Sequence, residues 1–160
     1  MPGRIHALAQ YLADTDQVLL AYLFGSRADG TAGPGSDYDI ALLVRHPSLD
    51  LQARLAHEIG AILETDRVDV VFLNRAPVEL AYAVIAQGRL LYERSVAERV
   101  EFEARVLSLY ADYLPILRRQ REEILKGERN DAGIQRYREA LGRTERTLAA
   151  IRAAADKAAG

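Results

Sequence analysis

The alternation of hydrophobic and polar positions divides the first 93 residues into strands and amphipathic helices. Three apolar runs, the third with a single charge, and one shorter run predict strands at 18–24, 40–44, 68–73 and 90–92. Apolar positions that recur every three or four residues predict helices at 5–12, 48–63 and 77–86. We therefore predict an α/β (α+β) fold in which helices pack on a small mixed sheet.

The rest of the chain has a continuous helical pattern from Val96 onward. Pro115 removes a helical hydrogen bond, so we expect it to kink this helix or divide it near Tyr113. A turn is predicted at 127–133, followed by a narrow apolar seam for packing one helix: Ile134, Tyr137, Leu141, Thr144, Leu148, Ile151 and Ala155.

This change of pattern predicts two parts, a core at 1–93 and a helical segment at 94–160. The seam of the second part would look the same in sequence whether it packs on the core, binds a partner protein or pairs two copies.

Composition narrows the class of protein. With 160 residues, 49% of them hydrophobic, the chain can form one ordinary domain and a helical appendage. No apolar run approaches the roughly 20 residues that span a bilayer, and the first residues lack the apolar core of a secretory signal. Zero cysteines exclude disulfides, thiolate zinc sites and cysteine nucleophiles. We expect a cytoplasmic protein that makes no contact with a membrane.

Charge is distributed unevenly along the chain. Residues 1–117 carry 10 Lys/Arg against 16 Asp/Glu, net −6, and residues 118–160 carry 11 against 7, net +4. We interpret the basic helices as solvated surface, because charged helix faces usually are. Without a second domain suited to a large nucleic acid, direct nucleic-acid binding is not expected.

Paired acids provide the first indication of chemistry. Asp37 and Asp39 open the apolar run of the second strand, and positions i and i+2 of a strand share a face. Two such carboxylates repel each other strongly unless a cation lies between them, and Mg²⁺ prefers carboxylate and phosphate oxygens. Gly25 and Ser26 follow the first strand and offer phosphate an unobstructed N–H and a hydroxyl. Asp69, the single charge in the third apolar run, is expected to be a third carboxylate of this site.

These residues together resemble a known pattern. Gly25-Ser26-Arg27, a ten-residue stretch from Arg27 to Ser36, then Asp37-x-Asp39 and the later Asp69 resemble the minimal nucleotidyltransferases of the polymerase-beta-like superfamily. The resemblance covers about the first 93 residues. Within that group, residues 23–44 and the helical C-terminal segment are similar to the MntA-family antitoxins of HEPN–MNT (type VII) toxin–antitoxin systems.

The resemblance implies roles for these residues. Asp37 and Asp39 would ligate two Mg²⁺ ions, and Asp69 would complete the ion nearer the acceptor. Gly25 and Ser26 would bind the β and γ phosphates of ATP. The next residue, Arg27, either contacts the triphosphate or is a surface residue of the loop.

The resemblance also implies a function. Such an antitoxin transfers AMP from ATP to a tyrosine of its cognate HEPN ribonuclease toxin and silences it, and the two proteins can form an oligomeric complex. Two alternatives remain open: a small-molecule nucleotidyltransferase of the aminoglycoside type, and a non-catalytic antitoxin that masks its toxin. Three retained aspartates argue against masking, because a pure binding protein gains little from clustered like charges.

Overall fold

The computed structural model describes residues 2–127 and 131–159. Its elements, in chain order, are α1 (Pro2–Asp14), β1 (Val18–Phe24), α2 (Ser26–Asp29), β2 (Tyr38–Val44), α3 (Leu49–Leu63), β3 (Val68–Phe72), α4 (Val78–Gln87), β4 (Arg89–Glu93), α5 (Val96–Gly127) and α6 (Asp131–Ala159). Each predicted strand and each predicted helix of the first 93 residues is present, with ends shifted by a few residues.

The four strands form one sheet in the order β3-β2-β1-β4. β1 is antiparallel to both β2 and β4, whereas β2 and β3 are parallel. This mixed sheet confirms the predicted fold class. β2 is an interior strand buried on both faces, and this explains why its apolar run has no polar interruption.

α3 provides the crossover that parallel pairing of β2 and β3 requires. Its start is capped by Ser48, whose hydroxyl accepts a hydrogen bond of 3.1 Å from the Leu51 N–H. Its buried face carries one apolar residue per turn, namely Leu51, Leu55, Ile59 and Leu63. The predicted helix at 48–63 is thus confirmed, with Ser48 as its cap.

Two apolar clusters lie on opposite faces of the sheet. On one face, α1 and α3 cover β2 and β3 side chains that include Ile40, Leu42, Val70 and Phe72. On the other face, α4 and α5 cover side chains that include Leu20, Tyr22, Ala41 and Leu73. Strand residues therefore alternate between the clusters, and this alternation determines which side of the sheet each polar residue faces.

α5 is one helix that continues through Pro115, so of the two predicted effects of this proline the division near Tyr113 is wrong, and the kink stays a prediction. Proline removes one backbone donor, but the helix before it is fixed to the sheet by Phe102, Val106 and Tyr110, all of which are buried. This packing outweighs the loss of one hydrogen bond.

α6 packs back on the core of its own chain. Leu148 and Ile151 of the predicted seam contact the second apolar cluster. Thr147, which is only 3% exposed, accepts a hydrogen bond from the Gln87 side chain of α4. Three other seam residues, Ile134, Tyr137 and Leu141, lie outside the side chains that the structure describes. Among the described helices, none has both the length and the apolar character needed to cross a bilayer.

Replacing Leu55 with alanine should lower the free energy of unfolding by about 2–5 kcal/mol, because its fully buried side chain would leave a cavity between α3 and the sheet. Urea unfolding followed by circular dichroism measures this change. Leu49→Ala is the matched control on the same helix: Leu49 is 79% exposed, and the expected change is within about 0.5 kcal/mol. Equal losses in the two variants would show that α3 does not pack as described.

Candidate active site

The acids predicted from the sequence lie together at the end of the sheet where β2 and β3 begin. Phe24 at the end of β1 pairs with Asp39 of β2, and Asp39 pairs in register with Asp69 of β3. Asp39 shares a face with Ala41, which belongs to the cluster under α4 and α5. Asp69 alternates with Val70, which faces the opposite cluster, so both carboxylates lie on the α4 and α5 side.

Asp39 is the most enclosed of the three acids. It is half-buried, and this burial raises the pKa of its carboxyl, with further increases from the nearby charges of Asp69 and Asp37. Asp69 lies inside β3, as predicted, and its side chain is exposed. Asp37 precedes β2 and is also exposed. The three acids form an electrostatically unfavourable group that a cation would relieve.

Gly25 brings its backbone against this group. It has a φ of 70°, in the left-handed region that favours glycine, and a Cβ at this position would overlap Oδ2 of Asp39. Only glycine therefore lets the chain pass beside the Asp39 carboxylate and turn into the next element. The two motifs identified from the sequence are in direct steric contact.

The next element is α2, a single helical turn that starts at Ser26 and was not predicted. It is too short to show an apolar period, and the glycines that follow it favoured a loop from Arg27 onward. Ser26 is half-buried at its first position. The Ala28 N–H donates to the Gly25 carbonyl at 3.0 Å, which closes the turn.

Arg27 is engaged with the protein itself. Its guanidinium donates two hydrogen bonds to the Ser36 carbonyl, from Nε at 3.0 Å and from Nη2 at 2.7 Å. The same group lies over the Tyr38 ring, 3.9 Å from the ring centre. In this arrangement Arg27 ties α2 to the segment that leads into Asp37 and Asp39.

A second arginine, which sequence reasoning missed, supports the same loop. Arg67 Nη1 donates to the Gly35 carbonyl at 2.5 Å, and its own carbonyl accepts from the Tyr38 N–H at 2.9 Å. Within the loop, the Gly33 N–H donates to the Ser36 hydroxyl at 2.9 Å. Nothing in the sequence around Arg67 marks this contact, because it depends on the pairing of β2 with β3.

The acid group suits a hard divalent cation. Mg²⁺ is commonly held by one or two carboxylates together with phosphate oxygens and water, rather than by a complete cage of protein ligands. The described residues contain no group of three or more Asp, Glu, His or Cys side chains arranged to hold a metal by themselves, so these acids would need phosphate oxygens or water to complete a site. Asp39 and Asp69 are paired in register, and Asp37 lies two residues before Asp39, just outside β2.

Comparison with protein-family models shows which family the chain belongs to. Residues 6–97 match the family described as "Polymerase beta, Nucleotidyltransferase". The chain belongs to this nucleotidyltransferase family. The matched range contains Gly25, Ser26, Asp37, Asp39 and Asp69, so the site described above lies entirely inside the part of the chain that the family model covers.

Two curated nucleotidyltransferases are similar in sequence to this chain, and both are described as protein adenylyltransferase MntA. The one from Shewanella oneidensis is 38% identical over 93 residues, which are 57% of this chain and 65% of the relative. The one from Aphanizomenon flos-aquae is 35% identical over 95 residues, which are 53% of this chain and 63% of the relative. The similarity spans just under two thirds of the length of each relative.

Solved structures show the same nucleotidyltransferase architecture. A toxin–antitoxin crystal structure with AMP-PNP superposes with a TM-score of 0.62 at 28% identity, covering 76% of this chain and 95% of the other. A tri-AMPylated Shewanella oneidensis HEPN toxin in complex with its MNT antitoxin gives a TM-score of 0.59 at 26% identity, covering 79% and 97%.

Replacing Gly25 with alanine should destabilise the protein by about 1–3 kcal/mol, because its φ of 70° and ψ of −157° are essentially restricted to glycine, and should displace the Asp39 carboxylate. Thermal unfolding and calorimetric titration with ATP and Mg²⁺ measure the two effects. Gly33→Ala is the matched control in the neighbouring loop, where a Cβ meets open space. ATP binding as tight in Gly25→Ala as in the wild-type protein would show that the close approach is unimportant.

Replacing Arg27 with lysine keeps the charge but removes the paired hydrogen bonds to Ser36. We expect faster amide hydrogen exchange at Gly33 and Ser36, measured by mass spectrometry or NMR, because their mutual hydrogen bonds close this loop. Arg75→Lys is a suitable exposed control. Unchanged exchange combined with weaker ATP binding would instead indicate that Arg27 acts on phosphate.

Proposed function

We propose that this protein is an antitoxin that transfers AMP from ATP to a tyrosine hydroxyl of a cognate HEPN ribonuclease toxin and thereby neutralises it. The observation that carries the proposal is the steric contact between Gly25 and the Asp39 carboxylate, with Asp69 in register beside it. It joins the phosphate motif to the acid group within a chain of the nucleotidyltransferase family. The similarity to two MntA protein adenylyltransferases and to toxin–antitoxin complexes supports the choice of acceptor.

The transfer forms one bond and breaks another. The tyrosine oxygen bonds to the α-phosphorus of ATP, the bond from that phosphorus to the β-bridging oxygen breaks, and pyrophosphate leaves. The hydroxyl proton passes to solvent. Negative charge develops on both the attacking and the leaving oxygens, so the reaction requires positioning and electrostatic stabilisation.

Asp37, Asp39 and Asp69 would hold two Mg²⁺ ions, which supply charge stabilisation at the attacking and leaving oxygens. Gly25 and Ser26 bind the β and γ phosphates through a backbone N–H and a hydroxyl. The exposed Asp69 positions the acceptor hydroxyl at the open edge of the sheet. Arg27 donates two hydrogen bonds to the Ser36 carbonyl and so holds in place the loop that leads into Asp37.

Residues 1–93 carry out the chemistry, and the helices of 94–160 form the surfaces around it that contact the partner. α5 and α6 pack on the same side of the sheet that Asp39 faces. A helical toxin domain docked against this side would bring its tyrosine to the acid group. We place this reaction in the cytoplasm, where ATP and the ribonuclease toxin would both be present, and the absence of cysteine agrees with a reducing compartment.

The test is the intact mass of the cognate HEPN toxin after incubation with the purified protein, ATP and Mg²⁺. We expect a gain of one or more AMP units on a tyrosine, abolished in the Asp37→Ala/Asp39→Ala double variant. Omission of Mg²⁺ should also abolish it.

Other results have distinct meanings. No mass gain with a stable complex of the two proteins would replace the proposal with masking by binding alone. With neither gain nor complex, a small hydroxylated acceptor becomes the substrate to test. Asp37→Asn is a milder second variant, because it keeps the shape of the side chain and removes its charge.

A further inference from the structure

The outer edge of β3 is open, and none of the roles assigned above uses its backbone. In the sheet order β3-β2-β1-β4, β3 pairs with β2 on one side, and no strand of the described residues pairs with it on the other. An open strand edge presents N–H and C=O groups that can bind an extended segment of another protein. This edge contains Asp69, so it adjoins the acid group directly.

Hydrogen bonds show which residues of β3 point their backbone groups outward. The Arg67 carbonyl accepts from the Tyr38 N–H at 2.9 Å, and the Leu73 N–H donates to the Leu42 carbonyl at 2.8 Å. Successive residues of a strand point these groups to opposite sides, so the odd-numbered residues of β3 bond to β2. The residues that direct their N–H and C=O groups to the open edge are the even-numbered ones: Val68, Val70 and Phe72.

The first half of this edge is the part available for pairing. The Gln52 side chain of α3 donates to the Val70 carbonyl at 2.6 Å and so closes the edge at the middle of the strand. Within residues 2–127 and 131–159, no hydrogen bond engages the N–H or C=O group of Val68 or the N–H of Val70. An added segment is therefore confined to the two residues that flank Asp69.

A residue paired opposite Asp69 lies on the same face of the sheet as its carboxylate. Asp69 turns its own N–H and C=O toward β2, so a strand added antiparallel outside β3 meets it as a non-hydrogen-bonded pair. In such a pair the Cα atoms are about 4.5 Å apart and the side chains lie close together. The exposed Asp69 side chain leaves room for this neighbour. A tyrosine at that position has its hydroxyl on the side of the acid group.

The sequence neighbour of such a tyrosine falls opposite Val68 and on the other face, whichever way the segment runs. A groove of about 650 Å³ borders the start of β3 there, with the Val68 side chain and small residues of α3 as apolar lining. Glu64 and Asp66 supply carboxylates, His57 also borders the groove, and Glu64 pairs with Arg4. Lysine or arginine fits this lining, because its stem is apolar and its head is cationic.

Charge favours a different partner over a second copy of this chain. Residues 1–117 carry a net charge of −6, and two copies paired through β3 would bring the edges that contain Asp66 and Asp69 together. Like charges directly opposite each other in a sheet are destabilising. A basic segment instead meets this edge with complementary charge.

We propose that the open edge of β3 binds the acceptor as an added strand: an extended segment of the partner protein in which a tyrosine opposite Asp69 adjoins a lysine or arginine that enters the groove at Asp66. This rests on the proposed function, since it takes a protein tyrosine as the acceptor of AMP. It goes further in naming the surface, the conformation and the charge of the segment that carries the tyrosine.

The first measurement is amide hydrogen exchange, followed by NMR, of the full chain alone and in complex with the cognate toxin. Mg²⁺ and α,β-methylene-ATP are present in both samples, because this analogue occupies the donor site without releasing pyrophosphate. We expect the toxin to slow exchange at the Val68 and Val70 amides at least about tenfold. The amides of β4, the other edge strand, are the control and should change less than about twofold.

The second measurement is the KM for the toxin in AMP transfer. Val68→Pro removes the outward N–H at the first residue of β3, where an edge strand accepts proline without losing a bond to β2. We expect it to raise this KM at least about tenfold, while the affinity for ATP changes less than about twofold. Val68→Thr keeps the N–H in a side chain of nearly the same shape, and it should match the wild-type protein.

A charge reversal tests the groove without altering the backbone. Asp66→Lys should raise the KM for the toxin at least about threefold at low salt, and the effect should shrink as salt is added. Asp14→Lys makes the same charge change at an exposed position before β1, at the opposite end of the sheet, and should leave this KM unchanged.

Circular dichroism establishes that each variant is folded, and Asp66→Lys replaces Val68→Pro if the proline variant is not. Unchanged exchange at Val68 in a complex that forms overturns the assignment, as does a wild-type KM for the toxin in folded Val68→Pro. If the wild-type protein still modifies the toxin in either case, the edge assignment fails and the proposed function stands. A toxin that the wild-type protein leaves unmodified overturns the proposed function and, with it, the acceptor role of this edge.

Discussion

The close approach of the Gly25 backbone to the Asp39 carboxylate is the contact on which the rest of the site depends. It requires a residue without a Cβ at a positive φ, and it fixes where β1 ends and where α2 begins. Because β1 and β2 are antiparallel neighbours, the same contact places the phosphate motif beside the first strand acid. Parallel pairing with β3 then adds Asp69 from the other side. Sheet topology thus converts three separate sequence segments into one group.

Much of this could be predicted from the sequence because the signals are local and strong. An uninterrupted apolar run identified β1 with both of its ends, and Ser48 marked the start of α3. Gly25 follows the first apolar run and Asp39 precedes the second, and these positions predicted that both belong to one site. Strand periodicity predicted that Asp37 and Asp39 share a face, and in the structure Asp39 belongs to β2 while Asp37 lies just before its first residue.

The remaining features depend on contacts between distant segments. α2 has one turn and no period to detect, and β3 lies at the edge of the sheet, which its short apolar run does not reveal. The charged side chain of Arg27 is of the type that binds phosphate, yet its guanidinium donates hydrogen bonds to the Ser36 carbonyl and lies over the Tyr38 ring. The seam on α6 was recognisable, but only tertiary structure shows that it packs against α4 and the sheet cluster.

Pro115 gives α5 two halves of different character. Before it, Phe102, Val106 and Tyr110 fix the helix to the sheet by burial, whereas the half that follows is mostly exposed. Proline cannot donate a backbone hydrogen bond to Ala111, so the ladder is weakest at this junction. The second half can therefore fray as a cooperative unit of its own, without loosening the strands that carry the aspartates. We therefore expect the outer half of this continuous helix to open before the inner half, so that a disturbance at its outer end spreads little toward the sheet.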